Sequence, residues 1–167
     1  MSKRITFLAA LLLLLTAIIG CSEQKAQQTA PLLAVTLNAD NMPTQRVQAS
    51  QLTTSWSPKN GETAYEIDSL HPLDLSDYKE ITLRLDNVVG EIEIEFSDNY
   101  SPLSVSIQRW SAEYIGRWED VIDNGELVDV EQHRIFVNND GNDYVYQIYA
   151  TWEEGSSWYA FRLDSRN

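Results

Sequence analysis

The residue types with the most chemical potential in this chain are its large aromatics. Five tryptophans, Trp56, Trp110, Trp118, Trp152 and Trp158, stand among eight tyrosines in 167 residues. An exposed indole offers a flat apolar face with a polar edge, which stacks on sugar rings and aromatic ligands; a buried one fills a core. The strand phases described below turn Trp152 inward and Trp110 and Trp158 outward. Trp110 and Trp158, with Trp118, are the candidate ligand-binding set.

The two histidines are weaker candidates. His71 precedes Pro72, which restricts it to an extended or turn conformation. His133 begins a strand beside Glu131. A serine hydrolase needs a positioned Ser, a base and an orienting acid, and no G-x-S-x-G elbow is present. Carboxylates gather in "WEDVIDNGELVDVE" (118–131), with Glu119, Asp120, Asp123, Glu126, Asp129 and Glu131. They could surround a hard cation or form a solvated face. A glycosidase pair needs a spacing in space that sequence alone does not supply. "NNDGND" (138–143) has the look of a calcium loop, but with Gly141 at the sixth position Phe136 and Gln147 fall where carboxylates belong, so it reads as a turn. No catalytic residue, metal site or cofactor is assigned, and the chain reads as a non-enzymatic binding module.

The single cysteine has a different role. Lys3 and Arg4 precede an apolar run, Ile5–Ile19, in which Thr6 and Thr16 are the only polar residues. The run is shorter than the ~20 residues that span a bilayer and fits the core of a secretory signal. Ile18-Ile19-Gly20-Cys21 resembles the lipobox of bacterial lipoproteins, with Ile18 where Leu is favoured. The resemblance implies cleavage before Cys21 and a thioether from Cys21 to diacylglycerol. Two acyl chains hold a protein to a membrane stably where one does not, each buried CH₂ contributing ~0.8 kcal/mol. It also implies an extracytoplasmic, membrane-attached domain in the cell envelope with no free thiol. Ser22 lacks the acidic character of an inner-membrane retention signal, which favours the outer membrane in a cell that has two.

Residues 1–20 are thus the expected signal peptide. Residues 21–45 are the lipidated Cys and a flexible tether, with a possible first strand at 32–37, and residues 46–167 the folded domain. The formal charge is −13; residues 21–167 hold 25 acidic and ten of the twelve basic residues, hence −15. Such a surface repels nucleic acid and anionic headgroups. The expected partners are the membrane, through the anchor, and a protein or glycan component of the envelope.

Across the folded region apolar residues recur at every second position, the period of a half-buried strand. Ile81, Leu83 and Leu85 form one such set; Ile92, Ile94 and Phe96 a second, with Glu91, Glu93 and Glu95 outward; Leu103, Val105 and Ile107 a third. Asn87–Gly90 reads as a hairpin link between the first two. Later, Tyr144, Tyr146, Ile148, Ala150 and Trp152 face one way, and Tyr159, Phe161 and Leu163 return to the core after a turn at 153–156. Only 76–80 and 116–125 invite a helical turn. The pattern predicts an all-β, antiparallel two-sheet sandwich of about eight strands. "NDGNDYVYQIYATWEEGSSWYAFRL" resembles the last hairpin of immunoglobulin-like domains, without their inter-sheet cysteines, and the chain is similar to small bacterial lipoproteins with aromatic-rich C-terminal strands.

Overall fold

The computed structural model describes residues 29–58, 64–67, 71–86, 89–121 and 125–165. The expected signal peptide, Cys21 and most of the tether lie outside the described residues. Within them the chain forms eleven strands: β1 Leu33–Asn38, β2 Gln45–Gln48, β3 Ser50–Trp56, β4 Tyr65–Ile67, β5 Thr82–Leu85, β6 Val89–Phe96, β7 Ser104–Ser111, β8 Glu126–Val128, β9 Arg134–Asn138, β10 Tyr144–Trp152 and β11 Gly155–Ser165. They build two sheets, one ordered β2-β1-β6-β9 and the other β4-β3-β11-β10-β7-β8, with β5 also joined to β11. The protein is an all-β, sandwich-like domain.

The core lies between the sheets and is made by the inward phase of each strand. Leu33, Val35 and Leu37 of β1 and Ile92, Ile94 and Phe96 of β6 meet Tyr146, Ile148 and Trp152 of β10 and Tyr159, Phe161 and Leu163 of β11. One end is filled by aromatic edges: Trp152 lies 5.5 Å from Trp56 and 5.2 Å from Phe96, centroid to centroid. Tyr146 stacks on Phe161 at 4.8 Å. The polar tips of these rings are satisfied at the rim. The Trp152 Nε1–H donates to the Tyr100 carbonyl at 3.2 Å, and the Tyr159 hydroxyl to that of Pro31. Burial pushes the Tyr159 pKa up to about 12, which keeps its donor proton in place.

The sequence-based phases hold for β6, β10 and β11, and the possible first strand at 32–37 is found one residue later, as β1 (Leu33–Asn38) inside the small sheet. Three expectations need correction. First, 81–86 and 91–96 are not a hairpin. β5 lies parallel to β11, while β6 pairs with β1 and β9 in the opposite sheet. Both strands present the same phase to one shared core, so alternation identifies the buried face and not the neighbour. Ile81 also leaves the set; it ends a 3-10 turn and packs elsewhere. Second, Leu103 is 69% exposed, because β7 begins one residue later. Third, the turn expected at 138–143 does not join two neighbouring strands as a hairpin turn would; it carries the chain from β9 in one sheet to β10 in the other. The two expected helical turns are short 3-10 turns at 79–81 and 118–120.

Two devices close the sandwich. The Gln45 side chain accepts from the Arg84 N–H at 2.9 Å and donates to the Arg84 carbonyl at 2.6 Å, tying β2 to β5 as a strand would. The β10–β11 hairpin turns on Glu153 and Glu154 alone, since Trp152 faces Gly155. A Cβ on Gly155 would lie 2.0 Å from the Ser55 carbonyl oxygen of the neighbouring strand. Because that obstacle is main chain, Gly155→Ala is expected to destabilise the fold by about 2–3 kcal/mol. This corresponds to a drop of roughly 5–10 °C in melting temperature, measured by circular dichroism. An unchanged melting temperature would show that the hairpin can shift away from β3.

Candidate ligand-binding face

The outward phase of the large sheet decides where its aromatics go. On β7, β10 and β11 the residues opposite in phase to the core are Ser104, Ser106, Gln108 and Trp110; Val145, Gln147, Tyr149 and Thr151; and Ser156, Trp158, Ala160 and Arg162. The structure divides this face into a covered half and an open half.

Trp110 is where the sequence phase put it, away from the main core, yet it is buried. It belongs to a second small core with Leu73, Tyr78, Ile81, Val121 and Val145. The cover consists of the irregular segments 71–81 and 112–121, pinned by the Gly116 N–H donating to the Leu73 carbonyl at 2.8 Å. Trp118 packs against this cluster, half-buried. Between the two indoles stands His71, stacked on Trp118 at 5.4 Å and edge-on to Trp110 at 5.2 Å. The expected pre-proline geometry holds, with φ −56° and ψ 146°. Its Nδ1 accepts from the Leu73 N–H at 3.2 Å, so the neutral ring carries its proton on Nε2. The other side of Trp110 lies against Gly125, where a Cβ would come within 2.6 Å of the indole. The Trp110 Nε1 is buried with no hydrogen-bond partner among the described residues, and the ring is held there by packing. Trp110 and Trp118 are therefore brought together, but as parts of a core.

Trp158 stays outside that cover. It is half-buried on the open half and stacks on Tyr149 of β10 with centroids 4.3 Å apart and planes at 30°. The two residues are direct cross-strand partners. Around them lie Ser55, Ser104, Ser106, Gln108, Gln147, Thr151 and Ser156, with Ser104 and Thr151 hydroxyls bonded to each other at 2.7 Å. Trp158 also sits where the pairing of β11 with β3 slips register, between Ser157 and Tyr159. Tyr149 was missed as a candidate. A two-residue turn at 153–154 already fixes its position, because counting three residues back from Trp152 and three forward from Gly155 pairs it with Trp158.

The remaining described candidates lie in turns and in or beside edge strand β8; Asp123 lies outside the described residues. His133 precedes β9 as the second central residue of a tight turn, with φ +62°, and its ring meets Phe96 edge-on at 6.2 Å. In 138–143 the Asn139 and Asp140 carboxamide and carboxylate oxygens accept from the N–H groups of Gly141 and Asn142, at 3.1 and 3.0 Å, which makes successive side-chain turns. Glu126 pairs with Arg109 at 2.7 Å, and the Arg109 guanidinium lies over the Tyr144 ring. Among the described residues no three His, Cys, Asp or Glu side chains converge as a metal site would require. A groove of about 670 Å³ runs between the start of β1, the end of β6 and the loop 97–102. Its walls mix the Arg46–Glu95 ion pair with Asp98, Tyr100 and His133.

No protein-family model matches the chain, and neither the curated proteins nor the solved structures hold a significant match. The fold and the open sheet face therefore stand as the basis for any functional reading.

The His71 cluster makes a pH-dependent contribution to stability. Burial lowers the His71 pKa below its ordinary 6.5, against the opposing pull of Asp74. The unfolded chain then takes up this proton more readily than the folded one. Stability from the site is complete above about pH 6.5 and is lost as pH falls below it. The wild-type melting temperature is expected to fall between about pH 7.5 and pH 5 more steeply than that of His71→Phe. Parallel curves for the two proteins would show that His71 does not sense the proton.

Proposed function

We propose that the protein is a non-enzymatic binding module, held to a membrane outside the cytoplasm by a lipid on Cys21, that takes its ligand on the open half of the large sheet's outer face. The observation that carries this reading is the Tyr149–Trp158 pair. Two large rings remain half-exposed on a sheet whose other outward aromatic, Trp110, is sheathed by dedicated segments. Rigid aromatic side chains lose little entropy on binding and supply large contact areas, so they are frequent anchors of binding surfaces. The hydroxyl and amide side chains around them can exchange hydrogen bonds with a carbohydrate or another small polar ring-bearing ligand. The sandwich supplies the rigidity: β10 and β11 are each paired along both edges.

The anchor reading rests on the leader and Ile18–Cys21. The folded domain takes hold of the chain at Ala30, whose N–H donates to the Tyr65 hydroxyl at 2.7 Å. The nine or so residues from Cys21 to that point can span no more than about 30 Å even at full extension. That limit keeps the module close to the membrane.

Two measurements test the proposal. In detergent phase separation the full chain is expected in the detergent phase and Cys21→Ala in the aqueous phase; identical partitioning would remove the anchor. On an immobilised glycan panel Trp158→Ala and Tyr149→Ala are each expected to weaken retention about tenfold or more, equivalent to roughly 1.4 kcal/mol. Retention unaltered by either change would move the site off this face.

A further inference from the structure

The open face differs from the rest of the molecule in charge. The chain has 25 acidic residues among 167, and the outer face of the small sheet follows suit. There Glu91, Glu93 and Glu95 of β6 stand beside Arg46 and Arg134, with Arg134 within 3.5 Å of Glu91 and 3.6 Å of Glu93. The open half of the large sheet, across β3, β11, β10 and β7, holds serine, threonine, glutamine, tyrosine and tryptophan. Asp, Glu, Lys and Arg are missing from its outward positions 55, 104, 106, 108, 147, 149, 151, 156 and 158, and Ala160, on the same phase, is buried. Among the described residues, charge borders this set rather than entering it: Glu66 on edge strand β4 faces Ser55, exposed Asp129 follows Val128 of β8, and Arg162 lies under the cover, bonded to Asp143 at 2.8 Å.

These positions form a grid. In register across the strands run Ser55, Ser156, Thr151 and Ser104; then Trp158, Tyr149 and Ser106; then Ala160, Gln147 and Gln108. Neighbouring strands are about 4.8 Å apart, and outward residues along one strand about 6.7 Å apart. Uncharged donors and acceptors therefore recur at short, regular intervals around one aromatic anchor. Among the described residues a cationic ligand finds no counter-charge within the grid itself. An anionic ligand must approach a strongly negative molecule and lose hydration with nothing to replace it.

Resting on the proposed ligand face, we infer that the ligand is an uncharged, hydroxyl-rich chain polymer, a neutral polysaccharide, lying across β11, β10 and β7 with one sugar ring against the Tyr149–Trp158 pair. Glutamine amides and serine hydroxyls complement its repeated hydroxyl groups. The absence of formal charge is the selectivity device, turning away uronic-acid and phosphate polymers that share the same backbone hydroxyls.

Isothermal titration calorimetry of the detergent-solubilised full chain tests this, with neutral glucan and mannan oligosaccharides in one arm and polygalacturonate and a polyphosphate-linked glycan in the other. The expected result is binding of a neutral oligosaccharide that is indifferent to salt and is weakened at least tenfold by Trp158→Ala. Gln147→Lys, which sets a charge beside the rings, is expected to weaken it similarly while leaving the circular dichroism spectrum unchanged. Binding of an anionic polymer, lost on Trp158→Ala and suppressed by salt, would overturn the neutral ligand and leave the face in place. Neutral binding untouched by Trp158→Ala and Tyr149→Ala, or no binding in either arm, would overturn the face and the ligand together.

Discussion

Because Glu153 and Glu154 alone turn the chain between β10 and β11, Trp152 must face Gly155, and every later pair along both strands is set by that one count. The consequences run to both sides of the sheet. Inward, the register brings Tyr146 to Phe161 and Ile148 to Tyr159, which are central to the main core. Outward, it brings Tyr149 to Trp158 and Val145 to Arg162. A slip of one residue would send each of these sets to the opposite face. The main core and the candidate binding surface are thus two outcomes of one turn, and neither can be altered through this hairpin without disturbing the other.

The large sheet carries apolar residues on both faces, and this explains the second core. Val145 and Trp110 are direct partners on the outer face, and left bare they would form an exposed apolar patch. Segments 71–81 and 112–121 cover them with 3-10 turns rather than with a further layer of strand or helix. Such a cover has few ladder hydrogen bonds and depends on side-chain packing: Leu73, Tyr78, Ile81 and Val121, with His71 wedged between two indoles. Local opening of this cover therefore requires less free energy than opening of the hairpin beneath it. Among the described residues the cover ends short of Tyr149 and Trp158, so the same sheet face is packed at one end and half-exposed at the other.

Legibility followed periodicity. The inward sets of β6, β10 and β11 could be read directly because a pleated strand with one buried face writes itself as alternation. Partners could not be read so easily. Ile81–Leu85 and Ile92–Phe96 look like a hairpin in sequence, since strands from opposite sheets show the same alternation when they enclose one core. Leu103 marks the other limit: nothing in "PLSVSI" reveals that the pairing of β7 begins at Ser104. The cover was illegible for a related reason. Its residues have no period, and Trp110 and Trp118 look like surface aromatics until 71–81 is folded across them. Tyr149 was legible in principle, through the length of the turn, but only once a two-residue loop was assumed.

The contrast between the two outer faces carries the functional argument further than any single residue. Both faces are made by outward positions of strands, both meet water, and the same chain supplies both. Solubility is satisfied by charge, and β6 uses it freely at Glu91, Glu93 and Glu95 with Arg46 and Arg134 as flanking counter-ions. Backbone pairing does not forbid charge on the large sheet either, since Arg162 stands on the outward phase of β11 itself, under the cover, and is met there by Asp143 and Asp164. Neither solubility nor strand formation requires nine adjoining positions to be free of Asp, Glu, Lys and Arg. A surface that exchanges hydrogen bonds with an uncharged partner is suited by it, because neutral side chains give up less hydration than ionised ones when the partner displaces their water.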